Sequence, residues 1–242
     1  MLSGVRRIVP AILVIAGIIG AVPANAQGGD QPYNPVIDPA DFVKGVNNPY
    51  FPLTPGTTYI YEGESDGTAE HTEVSVTHET REILGIECVV VRDTVWEDGN
   101  LIEDTVDWYA QDKDGNVWYM GEDTKEYEDG KVVSTAGSWE AGIDEAKPGI
   151  VMWGNPRIGE DYRQEYYAGE AEDMAEVVSL IVSPSGTGGN PTGLLVTKEW
   201  TPLEPRFAER KYYVTGIGLV LEIVIEGGEG QTDLVSIVTN PD

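Results

Sequence analysis

The stretch Trp96-Glu-Asp-Gly-Asn-Leu-Ile-Glu-Asp-Thr-Val-Asp-Trp-Tyr-Ala-Gln-Asp-Lys-Asp-Gly-Asn-Val-Trp-Tyr119 decides the fold. It holds short runs of β-favouring residues between Asp-Gly pairs at 98–99 and 114–115, and two more pairs stand at 66–67 and 129–130. Asp-Gly between such runs is the signature of the type I′ hairpin turn, whose two central residues take positive φ. The last three pairs recur about every 15 residues, the spacing of strand, turn, strand in a meander. The reading is all-β: a curved antiparallel sheet or open barrel built from sequential hairpins, with minor helix. Only Ala171–Leu180 has helical composition, for two or three turns at most, and Val177–Val182 within and beyond it reads as strand.

Period-two alternation assigns side chains to faces. In 57–62, Tyr59 and Tyr61 oppose Thr58, Ile60 and Glu62. In 101–109, Ile102, Val106 and Trp108 oppose Glu103, Thr105 and Asp107. One face of an antiparallel sheet is commonly buried and the other wet, so the apolar members are expected inside. The run Ile217, Leu219, Leu221, Ile223, Ile225 makes an unbroken apolar face against Glu222 and Glu226, which places its strand near the centre of the core.

Three regions precede or make up this domain. Arg6 and Arg7, the apolar run Ile8–Val22 and the small residues Ala24-Asn-Ala26 form a secretory signal over residues 1–26. Residues 27–55 are a Pro-rich extended lead-in, and 56–242 a single antiparallel β domain. The apolar run is broken by Pro10 and Pro23 and is too short to span a bilayer, so no stable membrane anchor is expected. The mature chain is then exported, either periplasmic or extracellular. Cleavage removes two arginines and no acid, leaving 13 basic against 42 acidic residues and a net charge of −29. That charge repels nucleic acid and anionic lipid. Cys88 is the single cysteine, which forbids an intrachain disulfide, and its setting in Ile86-Glu-Cys-Val-Val-Val91 reads as a buried structural thiol.

Catalytic signatures are missing: no nucleophile elbow, phosphate loop or zinc-protease helix occurs. His71 and His78, an odd number apart, point to opposite faces of a continuous strand and cannot share a metal; His78 falls beside Val74 and Val76 and reads as partly buried. Asp112-Lys-Asp-Gly-Asn116 begins like a calcium loop, but Val117 and Asp123 occupy the places where an EF-hand needs Gly and Glu, so a hairpin turn is the stronger reading. A looser calcium site from Asp104, Asp107, Asp112 and Asp114 on adjoining hairpins stays open. Trp108, Trp118, Trp139, Trp153 and Tyr166 are the candidates to line a ligand cleft inside a curved sheet.

Five segments carry a resemblance: Asp107–Tyr119, Gly137–Gly142, Tyr162–Tyr167, Lys198–Pro205 and Gly216–Glu222. Together they resemble a family of exported bacterial β-sheet proteins of unknown function, over roughly residues 42 to 226. The resemblance implies a secreted β-sheet protein and brings no functional residues. Where such proteins have a Tyr-Gly-Thr-Phe hairpin with a cysteine, this chain has Ser183–Gly193, which implies a flexible loop. More loosely, a signal peptide before a curved antiparallel sheet is similar to periplasmic lipid carriers of the lipoprotein-carrier type. Two function classes follow: a non-catalytic binding or carrier module for an apolar or aromatic-stacking ligand, or a structural or interaction protein of the cell exterior, with or without stabilisation by calcium. Its partner would be a small apolar ligand or another protein.

Overall fold

A computed structural model describes residues 33–183 and 192–240 of the chain. The signal segment 1–26 and loop residues 184–191 lie outside the described residues. After a 3₁₀ turn at Pro39–Asp41 come β1 (Phe42–Val43) and a small hairpin, β2 (Val46–Asn48) and β3 (Phe51–Leu53). Five long hairpin-linked strands follow: β4 (Thr57–Ser65), β5 (Thr68–Ile83), β6 (Ile86–Glu97), β7 (Asn100–Asp112) and β8 (Val117–Glu128). Short strands come next: β9 (Lys131–Ser134), β10 (Trp139–Glu140), β11 (Lys147–Met152), β12 (Asp161–Arg163) and β13 (Glu165–Tyr166). The last five are β14 (Met174–Ser183), β15 (Thr192–Trp200), β16 (Ala208–Val214), β17 (Gly218–Glu226) and β18 (Gly230–Thr239).

The all-β reading holds. Thirteen strands run antiparallel in the order β12-β14-β15-β16-β17-β18-β4-β5-β6-β7-β8-β11-β13. The two ends of that path are successive pieces of one segment: β12 pairs with β14, β13 pairs with β11, and only Gln164 separates them. The Gln164 N–H donates to the Asp173 carbonyl (2.8 Å) at the join. The sheet is therefore a nearly closed barrel whose seam is crossed by the chain itself. A second two-stranded sheet, β2 with β3, lies at one mouth. There the Asn48 amide donates to the Gly115 (2.8 Å) and Trp153 (3.1 Å) carbonyls, and the Tyr59 hydroxyl donates to the Pro52 carbonyl (3.1 Å).

The turn chemistry is largely as the sequence implies. Asp66-Gly67, Asp98-Gly99 and Asp129-Gly130 have positive φ at both residues, as a type I′ turn requires. Asp114-Gly115 differs: only Gly115 is left-handed (φ 85°), in a longer turn held by Asp112. A further two-residue turn, Leu84-Gly85 (φ 51° and 78°), carries no such signal, because leucine rarely adopts this conformation.

Three expectations are corrected. No α-helix occurs among the described residues, and Met174–Ser183 is strand, its β-branched run outweighing the helical composition before it. His78 is exposed, because the β5–β6 register shifts between Val76 and Thr80 and breaks the alternation that would have buried it. Most consequential, the polar face of β7 and Glu222 of β17 point inward: Glu103, Thr105, Asp107 and Glu222 are buried and Ile225 is 41% exposed, and only beyond the β16–β17 register shift do Leu219 and Ile217 turn to the interior. Trp108 is also buried, but on the outer side, where the Arg81 guanidinium covers its ring at 3.9 Å. Closing the sheet makes its concave face the interior, and here hydrogen-bonding side chains fill that space.

Candidate functional site

Successive inward rungs of β7 and β8 define a gradient along the barrel. Cross-strand register pairs Tyr109 with Tyr119, Asp107 with Glu122, Thr105 with Thr124 and Glu103 with Glu126. From the β2–β3 mouth inward, aromatic rings thus give way to carboxyls and hydroxyls. The other side of the barrel repeats this sequence. Tyr213, Lys211 and Glu209 alternate inward along β16, and Lys211 stands across from Thr197 on β15 and Glu222 on β17.

Lys211 is the hub of an ion network. Its ammonium lies 3.2 Å from Glu199, 3.0 Å from Glu209 and 3.6 Å from Glu222, all of them buried. Burial opposes the charge, but Glu199, Glu209 and Glu222 together outweigh it and raise the lysine pKa. No other lysine or arginine is buried among the described residues, although eight further acids are. Burial, reinforced by neighbouring acids, lifts Glu70 to about 7 and Glu103 to about 8. Burial alone lifts Asp107 to about 7, against the Tyr119 hydrogen bond, and burial helped by Glu209 and Glu199 lifts Asp173 to about 8 despite the Thr201 hydroxyl and Lys211. Asp93 is raised well above the ordinary range by burial and by Asp107, Glu103 and Glu70, and neither of its oxygens has a hydrogen-bond partner.

The hydrogen bonds among these acids also call for protons on them. Five links join Glu103, Thr105, Thr124, Glu122, Tyr119 and Asp107 into a chain of 2.9, 3.1, 3.2, 2.9 and 2.5 Å. The three hydroxyls supply three protons, and each link needs one. The other two come from the acids, so two of Glu103, Glu122 and Asp107 are protonated when all five bonds are made.

Between the aromatic rung and the carboxyls lies a cavity of about 80 Å³. Its outer wall is apolar, from Phe51, Pro52, Leu53, Val74, Ile217 and Leu219. Tyr59, Tyr61, Tyr109, Tyr119 and Tyr213 form a belt beneath it, and Glu165, Asp173, Glu199 and Lys211 form the floor. Phe51 meets the Tyr109 ring edge-on at 5.3 Å, and Tyr109 stacks on Tyr119 at 4.9 Å. The Tyr109 hydroxyl is fully buried and has no partner. At the opposite end a slot of about 10 Å³ reaches Glu70 and Glu222, room for one water.

None of the five aromatic residues singled out in the sequence is in this wall. Trp108 faces outward under Arg81, and Trp118 donates to Asp112 (2.9 Å) beside Phe42. Trp139 stands one layer behind, its ring against Tyr119 and its Nε1 donating to Glu165 (2.9 Å). Trp153 packs edge-on against Tyr162, and Tyr166 lies between Tyr33 and Arg163. Of the tyrosines that do line the cavity, alternation in the sequence placed Tyr59 and Tyr61 on one face, and nothing there marks Tyr213.

The four aspartates considered for calcium are not brought together. Asp104 faces out and is bound by Arg92 (2.7 and 2.8 Å), Asp107 faces in, and Asp114 is exposed at its turn. Asp112 accepts from the backbone N–H groups of Asp114 and Asn116 and from the side chains of Asn116 and Trp118. Among the described residues no group of three or more His, Cys, Asp or Glu is arranged to hold a metal ion. Cys88 is buried, with its thiol pushed up to about 12 chiefly by burial.

No family model matches the chain, and no curated protein does. Among solved structures, the chain is similar to one described as a "putative lipoprotein from Parabacteroides distasonis", with a TM-score of 0.39 and 10% identity over 78% of this chain and 98% of that one. A likeness this distant carries no functional argument.

Proposed function

We propose that this protein is a non-catalytic binding or carrier module that holds a small ligand, apolar or aromatic in its body, inside the mouth of the barrel. The observation that carries this reading is the cavity itself. A barrel serving only as a structural element would fill its mouth with side chains, whereas here an apolar wall and a belt of tyrosine rings surround about 80 Å³ of space. That is several times the ~10–15 Å³ that one water needs, and aromatic walls with a few polar groups are the usual make-up of a small-molecule site.

The cavity carboxyls are already engaged, Glu165 by the Trp139 indole, Asp173 by the Thr201 hydroxyl and Glu199 by Lys211, and neither histidine lines the cavity, which favours holding a ligand over transforming it. Export to the periplasm or the exterior belongs to the same reading, and mass spectrometry of secreted material should find a chain that begins at Gln27.

The binding reading is tested by thermal melts with a small neutral aromatic such as 2-phenylethanol. Saturable stabilisation following mass action is expected. Val74→Trp, which places an indole in the cavity, should remove that response while leaving the fold intact by circular dichroism. Equal responses from both proteins would place binding elsewhere.

A further inference from the structure

We infer that the cavity takes an organic cation, a protonated amine carried on a short apolar or aromatic body. The inference rests on the binding reading above and specifies the head group.

An internal lysine in a barrel would ordinarily suggest a ligand with an acidic head, such as a fatty acid. Lys211 is unsuited to that role. Its ammonium is already shared among Glu199, Glu209 and Glu222, and a carboxylate entering the floor would meet Glu165, Asp173 and Glu199 with no uncommitted cation to receive it. Behind the floor stand Asp107 and Glu122, both already engaged by the Tyr119 hydroxyl, and neither brings a cation that could receive an acidic head.

Four observations favour an ammonium. First, the floor offers acceptors: Glu165, Asp173 and Glu199 line the space directly. Second, the walls are tyrosine faces, whose negative π-surface attracts a cation. Third, the Tyr109 hydroxyl is wholly buried, lines the cavity and lacks a partner, so a bound donor would satisfy it. Fourth, Lys211 demonstrates in the same interior that a primary ammonium is held by three carboxylates. A bare metal ion fits less well, since no group of acids is arranged to coordinate one among the described residues. The apolar rim of Phe51, Leu53, Val74 and Leu219 suits the hydrocarbon part of the ligand.

The test is a matched panel titrated into the intact protein in amine-free phosphate buffer, read by intrinsic fluorescence and calorimetry. It comprises 2-phenylethylamine, 2-phenylethanol and phenylacetate, then hexylamine, hexanol and hexanoate. The amines should bind saturably and about tenfold or more tighter than the alcohols, the gain from charge-assisted hydrogen bonds. The carboxylates should not bind. Asp173→Asn and Glu199→Gln should each weaken the amines about tenfold and leave the alcohols unchanged. If either variant fails to fold, the panel on the unmodified protein decides alone. Alcohols equal to amines, or binding of the carboxylates, would overturn the cationic head while leaving the binding reading intact. Absence of binding by all six would overturn both.

Discussion

Asp107 and Lys211 show what individual side chains contribute to this interior. An acid whose pKa is raised by folding holds a proton that the unfolded chain has released, so its burial costs nothing in acid and costs most above its folded pKa. For Asp107 that interval runs from the ordinary value near 4 to about 7. Asp107→Asn should therefore raise stability at pH 8 by about 1–3 kcal/mol and change it little at pH 3, as denaturant titrations at the two values would show. Lys211→Met should act in the opposite sense, stranding Glu199, Glu209 and Glu222 and costing roughly 3–5 kcal/mol at pH 7. The loss should shrink at pH 5, as Glu209 and Glu222, both raised by burial, take up protons. An equal loss at both values would show that the lysine acts by packing rather than by charge.

The turns and the close crossings of strands govern the elements. Asp-Gly pairs at 66, 98 and 129 could be read from the sequence because the dipeptide alone favours positive φ at both positions. Leu84-Gly85 could not, since the long β5–β6 hairpin imposes that conformation on a leucine against its preference. Leu84→Asn should thus gain about 1 kcal/mol, measured as a higher melting midpoint. Gly121 (φ 134°) is the converse case. A Cβ there would stand 2.4 Å from the Trp139 carbonyl where β10 crosses β8, so Gly121→Ala should destabilise clearly. The alternation of β7 and β17 was equally legible, and so were the two sets of side chains. Which set faced inward was not, because alternation is symmetric and only closure of the sheet distinguishes its concave side. The same ambiguity hid the cavity: the sequence drew attention to tryptophans, whereas the belt is made of tyrosines, whose hydroxyls tolerate a carboxyl-rich neighbourhood.

For the whole molecule, the many acids raised by burial make a joint prediction. Glu70, Asp93, Glu103, Asp107, Glu122, Glu165, Asp173, Glu209 and Glu222 all bind protons more tightly in the folded state, with Lys211 the buried base among them. Stability should be greatest in mild acid and fall as pH rises from about 4 to about 8. Melts across that range check this, and a rising midpoint would refute it. Self-repulsion of the surface adds a second contribution that salt screens, whereas the buried one persists at ionic strengths where the Debye length is below about 10 Å. Matched sodium and calcium chloride series separate diffuse screening, expected to dominate, from a saturable calcium effect at Asp112 or Asp114.

The pairing of β18 with β4 joins residues 230–239 to residues 57–65, so the first long strand waits for the last one before its outer edge is covered. Such a pairing closes a very long loop, and contacts of this separation form late. A chain emerging gradually, from a ribosome or through a membrane pore, cannot complete its barrel until nearly all of it has arrived. Joining the first long strand to β18 would delay folding until both are present, which would suit the proposed export if the chain is threaded unfolded. Truncation after Glu229 should accordingly leave a protease-sensitive chain without a cooperative unfolding transition, and a stable, cooperatively melting fragment would show that the barrel assembles without its last strand.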